Sequence, residues 1–202
     1  MSISIEEVRK LREDTGVGIM DCKRALQETD GDMEKAKQIL REEGMEMAEK
    51  KVDAGEGRVG SYIHHDGKTG VLVEVNSQTD FAAKSDEFKD FVKSVAMHIA
   101  ASAPKFVSRE DVPEEVLEEE RNIYRKQAEK EGKPENIIDK IVDGKIEKFF
   151  ENNCLLEQEY VGEKEKTIEE MLGELAAKVN ENIEINRFAR FSIGSDGEEE
   201  EE

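Results

Sequence analysis

Apolar residues follow a helical spacing over most of this 202-residue chain and alternate, as in a β-strand, in only two places. One is centred on Asp66-Gly67, a dipeptide that strongly favours a hairpin turn. The run after it places three valines on one face, namely Val71, Val73 and Val75. We therefore predict a hairpin over 58–76 and a last strand over 183–193 that joins its sheet. A small antiparallel sheet among many helices defines an α+β protein.

The first 43 residues predict three short helices. The first, about 4–14, ends at Gly16, because glycine accepts the left-handed geometry of a helix end. The second covers about 19–28, and Asp32 is a suitable N-cap for the third. Such a bundle is too small to enclose a deep catalytic pocket. We predict a docking domain over residues 1–53.

The remaining segments predict a second domain, over 54–193, in which helices cover the sheet. The expected helices are 86–102, 112–130, 134–152 and 167–179. The end of the first of them, Val95–Ala101, is apolar almost all round, which indicates burial on more than one side. Residues 194–202 are acidic and have nothing to bury, so they predict a disordered tail.

Charge and composition exclude several classes of protein. Charged residues make up 40 % of the chain and its net charge is −20, so long-range repulsion opposes direct binding to nucleic acid. No apolar run approaches the roughly 18 residues that span a bilayer, which predicts no membrane segment. Two cysteines, Cys22 and Cys154, cannot form a disulfide framework, so we expect a reducing, cytoplasmic setting.

Few side chains suggest catalysis or metal binding. His64 and His65 are adjacent in a predicted strand end and should point to opposite faces, which excludes a shared metal ion. His98 lies at the flank of an apolar stripe, as a hydrogen-bonded core histidine would, and Cys22 lies within such a stripe. No phosphate-binding loop, dinucleotide fingerprint or nucleophile motif occurs. We predict no cofactor, no metal and no enzymatic activity. A hydrolase based on His98 with Asp80 or Cys154 is an alternative that no motif supports.

The segment Glu74–Lys84 is the most unusual in the chain. A strand ends in uncharged polar residues, and Asp80, Phe81 and small alanines follow before the next helix. Two interpretations remain open. Phe81 is either an anchor in the core, beside a helix turn that Thr79 or Asp80 caps, or an exposed aromatic wedge next to a carboxylate. Loops on rigid scaffolds often carry function in the second way.

Two long motifs resemble the signatures of the elongation factor Ts family. They are Leu11–Leu26, LREDTGVGIMDCKRAL, and Glu74–Phe81, EVNSQTDF. The stretches 96–101 and 187–191 are also similar to the family, and the likeness covers about 3–193. It implies a guanine-nucleotide exchange factor that binds the GTPase elongation factor Tu in its GDP form and promotes GDP release.

The resemblance also implies roles for particular residues. Thr79, Asp80, Phe81 and Ala82 match the element implicated in displacing Mg²⁺ near the nucleotide. The N-terminal bundle, similar to ubiquitin-associated (UBA) domains, matches the part that docks on the GTPase, with Met20 and Lys23 as candidate contacts. A binding module that uses this bundle alone is the second functional hypothesis.

Three departures from the family pattern stand out. Ala82 replaces the usual valine, which would trim the apolar surface beside Phe81. Asn180 stands where glycine is common. The chain also resembles the short form of the family, in which two copies pair to complete the core. That implies a homodimer, to which the apolar end of helix 86–102 is a candidate contributor.

Overall fold

A computed structural model describes residues 3–52, 55–163 and 165–194, and within them the chain forms helices and one small sheet. The helices are α1 Ile5–Thr15, α2 Ile19–Glu28, α3 Met33–Glu49, α4 Asp80–Lys84, α5 Asp86–Ser102, α6 Glu114–Lys130, α7 Glu135–Asn153 and α8 Ile168–Val179. The strands are β1 Glu56–Ile63, β2 Thr69–Ser77 and β3 Ile183–Ser192. This is the α+β class that the spacing predicts. Of the predicted acidic tail, all but Gly194 lies outside the described residues.

The chain divides into two compact units, residues 1–100 with 169–202 and residues 101–168. The first unit contains the three N-terminal helices, the sheet, α4, α5 and nearly all of α8. The second contains α6 and α7. The predicted functional division into a docking domain, 1–53, and a core, 54–193, stays a prediction.

Local sequence signals explain where the N-terminal helices begin and end. Ser4 and Glu7 form a reciprocal capping box at the start of α1, with the Ser4 backbone N–H donating to the Glu7 carboxylate at 2.7 Å. Gly16 ends this helix in the left-handed region, at φ +73°. The three helices share a core with one residue of α8, made of Val8, Leu11, Val17, Cys22, Ala25, Leu26, Ala36, Leu40 and Ala177.

Helix α3 is longer than the sequence predicts. A third helix ending near residue 43 was expected, but α3 continues through Gly44 to Glu49. The glycine does not end the helix, because its missing side chain is what lets α3 pack against α8. A β-carbon at position 44 would overlap the carbonyl oxygen of Gly173 and lie 2.9 Å from the Ala177 β-carbon.

The sheet has the order β1-β2-β3 and is antiparallel throughout. Val71, Val73 and Val75 face inward and are buried, as their alternation predicts. Gly60 of β1 allows close packing of α5 on this face, because a β-carbon there would overlap the Val92 side chain. Helix α5 has the predicted bounds.

The opposite face of the sheet is exposed and partly apolar. It carries Val59, Ile63, Leu72 and Phe191, with Phe191 exposed by 70 %. By contrast, the end of α5 is mostly covered within the chain, since Val95, Ala96, His98 and Ile99 are buried and Met97 is exposed.

In the second unit, α6 and α7 pack against each other as a helical hairpin. Exposed ion pairs join the two helices, Arg121 with Asp143 and Arg125 with Asp139. Beneath them lies an apolar core that includes Ile138, Val142 and Phe149. None of the described helices is both long enough and apolar enough to span a membrane.

Candidate docking site around Phe81

The candidate site is built where two neighbouring strands leave the sheet. The last residue pair between β2 and β3 is Ser77 with Ile183. Because the strands are antiparallel, the same register brings Gln78 opposite Asn182 and Thr79 opposite Glu181. The Asn182 backbone N–H donates to the Gln78 side-chain oxygen at 3.1 Å, so the pairing continues through side chains after the ladder ends.

Thr79 is the N-cap of the short helix α4. Its backbone is extended, and its hydroxyl oxygen accepts a hydrogen bond from the Ala82 N–H at 3.4 Å. The Ser77 hydroxyl donates to the Thr79 carbonyl oxygen at 2.9 Å. The first residue of the site is therefore fixed through both its side chain and its backbone.

Glu181 contacts Thr79 with both carboxylate oxygens. The Thr79 backbone N–H donates to one oxygen at 3.0 Å, and the Thr79 hydroxyl donates to the other at 2.5 Å. Hydrogen bonds to an ionised acceptor are stronger than neutral ones. Glu181 thus joins the start of α4 to the turn between α8 and β3.

Asn180 explains how Glu181 reaches this position. It ends α8 in the left-handed region, at φ +56°, and the Glu181 N–H closes the turn by donating to the Ala176 carbonyl at 3.3 Å. Asparagine is one of the few residues besides glycine that adopts this conformation readily. Asn180 therefore adopts the conformation that a glycine would have here.

Phe81 projects from α4 into solvent, with 83 % of its surface exposed. The two alanines that follow it, Ala82 and Ala83, are buried and hold the helix against the body of the unit. The interpretation of Phe81 as a core anchor is therefore wrong, whereas a helix turn capped by Thr79 is present. The sequence suggested that the small Ala82 side chain reduces the exposed apolar surface beside Phe81. It does not, because Ala82 points inward and is buried.

Asp80 lies in the first turn of α4 and forms an ion pair with Lys84, one helical turn away. This hydrogen bond raises the pKa of Lys84 above its ordinary value. Exposed pairs of this kind contribute little to stability. A stronger partner can therefore take Asp80 from Lys84 at small cost.

A shallow groove of about 520 Å³ lies beside Phe81. Its walls include Gly16, at the turn between α1 and α2, together with Lys178 and Glu181 at the end of α8. The turn that precedes α2 and the helix that carries Phe81 therefore border the same groove. The two segments that carry the sequence motifs thus meet in space.

The N-terminal candidates Met20 and Lys23 lie on the outer face of α2. Met20 is 69 % exposed and Lys23 is also exposed, whereas Cys22 between them is buried. The neighbouring Ile19 is partly exposed as well. Two adjacent exposed apolar side chains at a helix start form a small surface suited to contact with another protein.

The other side chains considered for chemistry are three histidines and two cysteines. His98 is fully buried, and burial raises the pKa of Cys22 and raises that of Cys154 to about 11. The prediction for His64 and His65 was wrong in its reason, since both follow the end of β1 and their ring centroids lie 4.2 Å apart. Across the described ranges, no three metal-ligating side chains cluster together.

Two features of the site carry no motif of their own: the extent of helix α4, of which only a capped turn is predictable, and Glu181. A five-residue helix is too short to show a period. Glu181 has no motif, and only the register of β3 against β2 places it opposite Thr79. The single pair Ser77 with Ile183 fixes the position of Glu181.

Fold and site together define an α+β protein that displays an aromatic side chain on a short, well-supported helix. The model of the family described as elongation factor TS matches residues 32–195. The chain is 58 % identical to an elongation factor Ts of Thermoanaerobacter over 194 residues, which cover 95 % of each chain. It is 52 % identical to that of Geobacter sulfurreducens over 203 residues, or 100 % of this chain and 94 % of the relative.

The similarity extends beyond these two relatives. An elongation factor Ts of Coprothermobacter proteolyticus is 53 % identical over 196 residues, which cover 96 % of this chain and all of the relative. The chain belongs to the elongation factor Ts family of translation elongation factors.

Proposed function

We propose that this chain is a cytoplasmic guanine-nucleotide exchange factor that binds elongation factor Tu in its GDP form and promotes GDP release. The observation that carries the proposal is the exposure of Phe81 on a helix fixed to the body of the protein, within the motif of this family. The chain acts through binding and has no enzymatic chemistry of its own. Membrane and nucleic acid have no part in this action.

Phe81 is the residue that we expect to distort the partner. An exposed phenylalanine gains roughly 1.5–3 kcal/mol when it is fully buried, and insertion between two partner helices would provide that burial. A thousandfold weakening of GDP requires about 4 kcal/mol of preference for the nucleotide-free state. Phe81 therefore supplies a large share, and other contacts of the site supply the rest.

Thr79, Asp80 and Ala82 complete the element that we propose to displace Mg²⁺ from the partner's nucleotide site. Tight binding of guanine nucleotides depends on this ion and on donors around the phosphates. Asp80 can exchange Lys84 for polar groups of the partner. Thr79 and Ala82 support Phe81 without contacting the partner. Thr79 caps α4, and Ala82 packs beneath it.

The N-terminal bundle is the proposed docking domain, with a UBA-like arrangement of its three helices. Met20 and Lys23 supply an apolar and a charged contact with the GTPase. The hypothesis that this bundle is an independent binding module is less favoured, because Ala177 of α8 belongs to its core. Deletion of residues 1–52 would uncover α8, so Met20→Ala with Lys23→Ala is the sharper test of docking.

We propose further that the chain is a homodimer, and the exposed sheet face is the surface that favours it. Val59, Leu72 and Phe191 come from the three strands and lie on this one side. A second copy that presents the same face would supply the missing layer of a two-layer core. The end of α5, the other candidate, offers a smaller exposed surface that includes Met97, since Val95, Ala96 and Ile99 are buried.

The exchange function is tested by the release of a fluorescent GDP analogue from purified elongation factor Tu. The proposal predicts that wild-type chain accelerates release and that Phe81→Ala reduces the acceleration roughly 10- to 150-fold, the loss expected from 1.5–3 kcal/mol. Asp80→Ala should have a smaller effect. Ile123→Ala, which removes an exposed apolar side chain of α6, is the matched control.

A chelator tests the role of Mg²⁺. If the element acts by displacing Mg²⁺, removal of Mg²⁺ with EDTA should speed the spontaneous release of GDP. The further acceleration that the chain provides should then be smaller. Full acceleration by Phe81→Ala and Asp80→Ala alike would contradict the proposed mechanism. No acceleration by the wild-type chain would contradict the proposed function itself.

A further inference from the structure

We propose that Glu181 is a positioning residue for nucleotide exchange: its carboxylate holds Thr79, and through Thr79 it sets the orientation in which α4 presents Phe81. This inference rests on the proposed function. It adds a residue outside both sequence motifs, 102 positions along the chain from Thr79.

The geometry makes Glu181 part of the helix cap. The Thr79 hydroxyl gives its proton to Glu181 at 2.5 Å and uses a lone pair to accept from the Ala82 N–H at 3.4 Å. A hydroxyl that donates to an anion becomes a better acceptor, since hydrogen bonds in series polarise one another. Glu181 therefore strengthens the cap without touching α4 itself.

Helix α4 needs this support. It has five residues, and isolated helices below about 12–15 residues are marginal in water. Phe81 cannot hold its own orientation, because most of its surface lies in solvent. The orientation of the ring is therefore set by the cap at Thr79 and by the two buried alanines.

Glu181 is itself held by the end of α8. It follows the left-handed turn at Asn180 directly, and its backbone N–H is bonded to the last turn of α8. The same helix packs against α3 through Gly173 and Ala177. One helix thus connects the N-terminal bundle to the element that carries Phe81, which favours a fixed spacing between the two proposed contact surfaces.

The first test uses the protein without its partner. In Glu181→Gln, an NH₂ group, which is itself a donor, replaces one carboxylate oxygen, so the side chain can accept only one of the two hydrogen bonds from Thr79. Amide hydrogen exchange at Thr79 or Ala82, depending on which bond is lost, should accelerate at least about fivefold, the change expected for loss of one helix cap. Exchange at the amides between β2 and β3 should stay as in wild type. Unchanged exchange at both Thr79 and Ala82 would overturn the inference.

The second test separates positioning from general stability. With GDP-loaded elongation factor Tu, Glu181→Gln should lower the maximum rate of GDP release about fivefold or more, while the half-saturating concentration of the chain changes little, because the bundle still docks. Thr79→Ser, which keeps the hydroxyl, should retain most of the rate. Thr79→Val should lose it, and adding Glu181→Gln to Thr79→Val should cause little further loss.

Two controls make the outcomes distinct. Glu119→Gln removes an exposed carboxylate of α6 and should behave as wild type. If Glu181→Gln fails to fold, Glu181→Asp keeps the charge but withdraws it by one methylene, and it should show the same loss of maximum rate. If Phe81→Ala lowers the maximum rate of GDP release but the Glu181 variants keep the wild-type rate, this inference is overturned and the proposed function is not affected. Wild-type rates in Phe81→Ala would instead contradict the wedge mechanism.

Discussion

Gly44 and Gly173 face each other where α3 crosses α8, so closely that the backbone of one occupies the space in which the other would carry a side chain. The contact continues at Ala177, whose methyl group packs in the core of the N-terminal bundle. Small residues at a helix crossing allow the two backbones to approach closely, and they leave no room for a larger side chain. The attachment of the bundle to the rest of its unit therefore depends on the absence of one carbon atom.

The first prediction concerns this crossing. Gly44→Ala should lower the free energy of unfolding by about 1–3 kcal/mol, because overpacking at a backbone contact outweighs the ~1 kcal/mol by which alanine favours a helix. Urea denaturation followed by circular dichroism measures the change. Gly144→Ala is the control, since Gly144 lies within α7 and a β-carbon there meets nothing within 4 Å. It should stabilise the protein by about 0.5–1 kcal/mol. Equal effects at both sites would contradict the described contact.

The second prediction concerns the left-handed end of α8. Asn180→Ala should destabilise the protein by about 1 kcal/mol, because alanine has no means of offsetting the strain at positive φ. Asn180→Gly should be neutral or slightly stabilising, since glycine adopts this conformation freely. Urea midpoints of the two variants provide the comparison. A more stable Asn180→Ala than Asn180→Gly would show that the turn is not left-handed.

The third prediction concerns the two thiols. Burial raises the pKa of Cys154 to about 11, so below that pH most of the thiol is protonated and cannot act as a nucleophile. Iodoacetamide at pH 8 should label neither Cys154 nor Cys22 in the native chain within the time that labels both in urea. Labelling of Cys154 should increase as the pH rises towards 11. Rapid native labelling of either thiol at pH 8 would refute their burial.

The fourth prediction concerns the exposed sheet face. The wild-type chain should sediment with twice the mass of one 22.9 kDa chain, and Leu72→Lys should shift it towards that single mass, because a buried charge at the centre of an interface is costly. Ile123→Lys adds the same charge on α6 and should leave the dimer intact. A single-chain mass for wild type, or no shift for Leu72→Lys, would exclude this face as the interface.

Much of the fold is predictable from the sequence because its signals are local. Helix α5 begins and ends where its apolar stripe does, and Asp66-Gly67 marks the hairpin turn. The α+β class follows from these patterns. Gly44 is not predictable for the same reason, since a glycine in a helical pattern suggests a helix end unless its distant partner, Gly173, is known.

The candidate site likewise has a part that local sequence signals indicate and a part that depends on long-range contacts. Phe81 and Asp80 attract attention as residues in an unusual loop, but their sequence leaves open whether the ring points inward or outward. Burial of Ala82 and Ala83 decides this, and that burial depends on how α4 packs. Glu181 could not be predicted from the sequence, because its contact with Thr79 arises from strand pairing between residues that are far apart along the chain. Long-range register is set by the whole sheet and not by any short motif.

The most direct test of the account compares the affinities of the chain for nucleotide-free and GDP-bound elongation factor Tu, measured by titration calorimetry for wild type and Phe81→Ala. The account predicts that wild type prefers the nucleotide-free form by roughly a thousandfold, or about 4 kcal/mol. Phe81→Ala should reduce that preference by at least about tenfold, with the weaker binding confined mainly to the nucleotide-free form. The same ratio of affinities in both proteins would contradict the claim that exposed Phe81 opens the nucleotide site.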